Sequence, residues 1–219
     1  MGALSGGTAV SGHLNVGPAG TRFDRIQATS EDIVYGDWGV PYGSQLSLSG
    51  NLAYDTTASA LNLTPIAVAI DDGTRCALAS IALMFAKESA PLRATLSGLA
   101  LSSDLDLLVR RNLVASVEGG HASLASEELT WNGESFSGMT TWEFRAESLE
   151  LPEKMGSFVG LIHSGTYDPG SGESGGGPLS VGPFTVYEIP FGATATTIRV
   201  TPESIACDPM ETAFLGGTL

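Results

Sequence analysis

The chain has 219 residues, 42% of them hydrophobic and 16% charged, which is enough apolar material for a core and too much for general disorder. Its 10 Lys and Arg face 24 Asp and Glu, a formal net charge of -14, which excludes a counterion-displacing nucleic-acid surface and disfavours attraction to an anionic membrane. No apolar run is long enough to span a bilayer, and Met1–Gly7 lacks the basic start and apolar stretch of an export signal, so cytoplasmic assembly without membrane insertion is expected.

In chain order, residues 1–20 are rich in Gly, Ser and Ala and predict an extended arm. Residues 21–210 are expected to form a single β domain, and 211–219 a tail similar to the arm. Tyr35-Gly36-Asp37-Trp38-Gly39-Val40-Pro41-Tyr42-Gly43 is an aromatic, glycine-rich loop. Tyr35, Trp38 and Tyr42 are candidate contact residues, with Trp38 foremost, because such side chains dominate interface energies. Leu46, Leu48, Leu52 and Tyr54 alternate with Ser47, Ser49 and Asn51, the period of a half-buried strand, and Gly50 inside it predicts a bulge or a close approach. Thr64–Ile70 predicts an apolar strand that turns at Asp71-Asp72-Gly73 and returns through Cys76–Phe85 as a hairpin.

Strands are expected around 92–96, 158–162, 179–189 and 194–200. Over 104–114, Leu105, Val109 and Leu113 recur every four residues behind a capping Ser103, which favours a helix over a strand. Thr141–Glu147 alternates aromatic with charged residues, and its alternation slips at Ser148-Leu149, where a bulge would re-aim the strand. Glu143, Glu147 and Glu150 lie on this strand, either as an electrostatic contact patch or as a solvated face that blunts edge pairing. Residues 167–178 predict a mobile Gly/Ser loop. Short strands punctuated by Gly and Pro, with no βα alternation, predict an all-β, mainly antiparallel, sandwich- or jelly-roll-like fold with at most one or two short helices.

Chemistry-bearing constellations are sparse. Cys76 and Cys207 have no metal spacing and are expected to be two small buried side chains; a single disulfide is the alternative. His13, His121 and His163 show no ligand spacing, and Asp71-Asp72-Gly73 is a turn rather than a calcium loop. No cofactor or metal is expected. Gly172-Glu173-Ser174-Gly175-Gly176-Gly177-Pro178 resembles the nucleophile segment of chymotrypsin-like proteases, but a third Gly interrupts it, Glu stands where that family has Asp, and no histidine is suitably placed upstream. A plain loop accounts for it better.

Ile70-Asp71-Asp72-Gly73-Thr74 leading into Leu78–Met84, the arm-like ends and the Gly/Ser/Thr/Ala-rich strands together resemble bacteriophage virion proteins. That resemblance, at the level of texture over about half the chain, implies a non-enzymatic coat, decoration or tail subunit. Such a subunit associates with itself and with other structural proteins of its assembly. The alternative is an adhesion or carbohydrate-binding β-sandwich using Trp38 and Tyr42.

Overall fold

The computed structural model describes residues 4–35, 38–39, 45–70, 73–85, 92–110, 112–214 and 217–218. The strands are β1 Leu4–Gly17, β2 Gly20–Tyr35, β3 Trp38–Gly39, β4 Gln45–Asp55, β5 Ala60–Ile70, β6 Thr74–Leu78, β7 Ser80–Met84 and β8 Arg93–Asp104. After a five-residue helix α1, Asp106–Arg110, come β9 Ser116–Glu118, β10 His121–Trp131, β11 Phe136–Ser137 and β12 Thr140–Glu150. A 3-10 turn at Pro152–Lys154 precedes β13 Gly156–Tyr167, β14 Gly175–Val181, β15 Phe184–Val186, β16 Ile189–Phe191 and β17 Thr194–Val200. The last three are β18 Ile205–Cys207, β19 Ala213–Phe214 and β20 Gly217–Thr218. Strand dominates the described residues, at about three times the usual share. The fold is all-β and antiparallel, consistent with the sandwich-like class expected.

The sequence expectation is one β domain; contacts gather the chain into two compact units, residues 1–101 with 125–138, and 102–124 with 139–219. The first unit is a meander. β1 pairs with β2, β2 with β4, β4 with β5, and β5 with β6 and β7. Residues 4–17 of the expected arm are thus strand, hydrogen-bonded along β2. The predicted hairpin forms, with Ile70 opposite Thr74; Asp71 and Asp72 of its turn lie outside the described residues.

Two extra residues interrupt this meander. β2 takes three steps from Phe23 to Ile26 while β4 takes two, and β5 takes three from Leu63 to Ile66. Both bulges are stitched by one side chain. The amide of Asn51 accepts from the Arg25 backbone N–H at 2.8 Å and donates to the Thr64 carbonyl at 2.7 Å. Gly50 beside it meets its expectation: a Cβ there would stand 2.7 Å from the Pro65 carbonyl oxygen. Replacing Asn51 with Ala strips both bulges of their partner and should cost about 2 kcal/mol, two hydrogen bonds at ~1 kcal/mol each; denaturant unfolding reads this, and Asn51→Gln should not restore it.

In the second unit β12 pairs with β13 and β9, β13 with β14 and β15, and β14 with β17. Val114, Ala146 and Leu149 form its core, packed by Leu108, Val109, Val117, Phe144, Leu151 and Phe158. The buried positions on β12 pass from Ala146 to Leu149, so the expected slip is present, although the pairing with β13 carries no extra residue. A single row crosses five strands: Leu149, Phe158, Phe184, Phe191 and Phe214. Its four rings stack at centroid separations of 5.8, 4.9 and 5.3 Å, each contact worth about 1 kcal/mol beyond burial. On β17 Arg199 grips Asp208 through Nε and Nη2, at 2.8 and 3.0 Å, and the hydrogen bond and charge of Asp208 hold the guanidinium pKa above its ordinary value.

Four local expectations are corrected. Helix α1 spans only Asp106–Arg110; Ser103 lies in β8, its hydroxyl donating to the Asp104 carbonyl. Asn112 takes a left-handed φ of 55°, which ends the helix, and Leu113 faces solvent while Leu105 and Val114 are buried. Residues 179–189 are three strands, because Tyr187 and Glu188 both adopt positive φ in a two-residue turn that pairs Val186 with Ile189. Gly175–Pro178 belong to β14 instead of a loop, since a strand of glycines lets neighbouring backbones approach closely. Both cysteines are free, Cys76 partly exposed and Cys207 exposed, so neither is a buried filler.

Candidate functional site

Residues opposite each other on neighbouring antiparallel strands point to the same face, so the registers of the first unit define its two faces. One row across six strands is Leu14, Phe23, Leu52, Leu63, Ile81 and Leu96. The next is Val16, Thr21, Tyr54, Leu61, Leu83 and Ala94. Beyond the bulges the same face continues as Val10, Ala28, Leu48, Val68 and Cys76. The other face reads Asn15, Arg22, Ala53, Asn62, Ala82 and Thr95. The bulges are what keep the faces separate: each shifts the parity of its own strand by one, and the apolar set stays on one side.

The apolar face is incompletely covered. Ile66, Leu78 and Ala94 are buried, but Leu46, Leu48, Leu52, Leu61, Leu63 and Leu83 stay partly accessible, and exposure rises to 64% at Leu14 and 75% at Val16. Among the described residues no large side chain is fully enclosed. Around Gly50 a depression of about 520 Å³ is lined by Ile26, Gly50, Ile66 and Leu78 of this face together with Gln27, Ser49, Ala67 and Ala77 of the other. The face is almost purely aliphatic and carries no charged side chain in these rows. Its floor is a sheet whose backbone groups are already paired, so it presents hydrocarbon and little hydrogen-bonding capacity.

No protein-family model, characterised protein or solved structure matches the chain.

The contact residues expected from sequence lie on β2, β3 and β12, apart from Tyr42. Tyr35 and Trp38 are backbone partners joining β2 to β3; Tyr42 lies outside the described residues. Glu143, Glu147 and Glu150 are all exposed on β12, but at ~3.3 Å per residue the outer two stand roughly 23 Å apart. Glu150 accepts from the Ser116 hydroxyl at 3.1 Å, and Glu147 lies against Gly119. They line one strand face and do not converge on a point.

Among the described residues Ser174 of the protease-like segment makes no hydrogen bond to a histidine. Ser174 is exposed just before β14. The indole N–H of Trp142 donates to His163 Nε2 at 2.9 Å, which leaves Nδ1–H to donate to the Pro178 carbonyl at 3.0 Å. Both ring nitrogens are thereby committed to joining β12, β13 and β14, a structural use that fixes the tautomer. Among the described residues no group of three or more His, Cys, Asp or Glu is placed to hold a metal ion, and no helix is long and apolar enough to cross a membrane.

The aliphatic face was only partly visible in the sequence. The alternation of β4 marks one of its strands, but the bulges at Arg25 and Thr64 break the period inside β2 and β5.

Proposed function

We propose that the chain is a non-catalytic binding module whose first unit receives elongated hydrocarbon, the acyl chains of a lipid-class molecule, along its aliphatic sheet face. The observation that carries this reading is the row Leu14–Phe23–Leu52–Leu63–Ile81–Leu96, partly accessible across its strands and free of charge. Protein interfaces draw their energy from Trp, Tyr and Arg anchors, with Leu and Val under-represented. A face of Leu, Ile and Val suits a partner that needs neither hydrogen bonds nor a shaped anchor pocket. Burying ten methylenes at ~0.8 kcal/mol each contributes about 8 kcal/mol, an affinity no tighter than about micromolar. The surplus of negative charge acts against an anionic head group and leaves the uncharged tail unaffected.

The experiment is equilibrium binding of a long-chain polyene fatty acid, whose fluorescence rises in apolar surroundings, to protein purified without detergent. Organic extracts of the same protein are analysed by mass spectrometry. Saturable binding, or co-purified acyl lipid, supports the reading. Absence of both would remove it.

A second reading is a structural subunit of a larger protein assembly, the coat, decoration or tail role that the virion-like texture implies. What favours it is the outer edge of β1, which is long, uncharged and, among the described residues, paired on one side alone. Under this reading the occupant of the apolar face is a neighbouring protein, and the fatty acid finds no site once the assembly has formed.

A further inference from the structure

Edge strands expose a row of unpaired backbone N–H and C=O groups, and proteins guard them with charge, proline, bulges or short length. β1 has none of these guards. Its 14 residues, Leu4-Ser5-Gly6-Gly7-Thr8-Ala9-Val10-Ser11-Gly12-His13-Leu14-Asn15-Val16-Gly17, run to about 48 Å at ~3.4 Å per residue. They include no Lys, Arg, Asp, Glu or Pro. Among the described residues β1 pairs with β2 alone.

Both irregularities in that pairing fall on the partner. β2 takes three steps against two from Ser5 to Gly7, and again from Ser11 to His13. The repeat of β1 itself is therefore unbroken, with Thr8, Val10, Gly12, Leu14 and Val16 on one side and Ala9, Ser11, His13 and Asn15 on the other. Val10, Leu14 and Val16 are 58%, 64% and 75% exposed, the most open end of the aliphatic face.

We infer that β1 is the pairing edge for a second copy of this chain, joined antiparallel through the two β1 strands about a twofold axis. A strand of strict alternation is complementary to itself in this arrangement. Any register in which the paired residue numbers sum to an even value sets the side of Val10, Leu14 and Val16 against itself and the side of Ser11, His13 and Asn15 against itself. Val10 then meets Leu14 or Val16 of the other copy, and the two aliphatic faces join into one. Charge selects the edge as well. At a net charge of -14 two copies repel over most of their surface, and β1 offers a long approach with no charge to bury. A twofold contact closes at two copies, where a head-to-tail contact would propagate.

The test uses the full chain and reads native mass by sedimentation across protein concentration. A monomer–dimer equilibrium is expected, and the variant carrying Val10→Lys and Leu14→Lys should weaken it at least about tenfold, equivalent to 1.4 kcal/mol. Both side chains are exposed, so the far-ultraviolet dichroism and melting profile of the variant monomer should match the parent. A spin label on a cysteine at position 11, with Cys76 and Cys207 replaced by Ser, should report a short distance between copies. A monomer at every concentration overturns the inference. So does a dimer indifferent to the lysines, or a polymer that lengthens with concentration. Val10 and Leu14 belong to the acyl face, so fatty-acid binding is read on the parent chain at concentrations where it is monomeric, and failure of the dimer leaves the ligand reading standing, and the reverse.

Discussion

Gly176→Ala should destabilise the second unit by about 3 kcal/mol, measured by denaturant unfolding. Gly176 lies in β14 between β13 and β17, opposite Thr166 on one side and Arg199 on the other. Its φ of +122° is a conformation that side chains rarely adopt, and a Cβ there would press into the Ile198 carbonyl oxygen. Strain of this kind costs about 1–3 kcal/mol, and the obstacle is main chain, which cannot swing aside as a flexible side chain does. Displacing it adds a comparable overpacking cost. Two controls separate the terms. Gly172 has a φ of +69° with nothing near its missing Cβ, so Gly172→Ala should cost about 1 kcal/mol from backbone conformation alone. Gly17 lacks both features, and Gly17→Ala should stay within about 0.5 kcal/mol of the parent. If Gly176→Ala were no worse than Gly172→Ala, the three glycines would be loop-like after all, as their composition first implies.

That glycine run illustrates what a local reading can and cannot recover. The period-two signal is strong wherever one strand stays in phase over several residues, as in Leu46–Tyr54, in Thr141–Glu147 and in the hairpin around Ile70 and Thr74. It fails where the stabilising partner is distant in sequence. Gly175–Gly177 have no strand propensity of their own, yet pairing on both sides places them in a sheet. β1 carries a complete alternation from Thr8 to Val16, but Gly6, Gly7 and Gly12 dilute it enough to resemble an arm. Tyr187 and Glu188 hold the positive φ that Asn-Gly usually supplies, so nothing in their chemistry announces a turn. The helix was overextended because the spacing of Leu105, Val109 and Leu113 implies a common face, whereas Asn112 bends the chain and turns Leu113 outward.

The aliphatic face was hidden for a related reason. It is a property of rows that run across strands, and no single strand contains one. The rows align only if the bulges on β2 and β5 fall at the same level, and that level is set by Asn51, whose side chain reaches both Arg25 and Thr64. An asparagine among serines in an alternating strand carries no sign of such a role. The expected aromatic anchors at Tyr35, Trp38 and Tyr42 follow the statistics of protein contacts, and those statistics point away from a surface built of leucine and valine.

Leu63→Glu should abolish most fatty-acid binding while Thr29→Glu leaves it intact, and this pair decides between a specific apolar face and general stickiness. Leu63 sits between Leu52 and Ile81 in the longest apolar row. Thr29 is exposed on the opposite face, between Ala9 and Ser47. Each substitution adds the same single negative charge, so repulsion of the fatty-acid head group is matched and only the face differs. A carboxylate at position 63 would have to be desolvated beneath an acyl chain or hold water in its path, and either costs several kcal/mol of the interaction. The expected result is a loss of at least about tenfold in affinity for Leu63→Glu, more than 1.4 kcal/mol, against less than about twofold for Thr29→Glu. Leu63 is partly accessible in the parent, which leaves the new carboxylate a route to water in the unliganded fold. Should Leu63→Glu nevertheless fail to fold, Leu14→Glu at the open end of the same row tests the face where burial is least. Equal losses from both faces would make the charge responsible, and equal indifference would mean that the hydrocarbon, if it binds, lies on neither row.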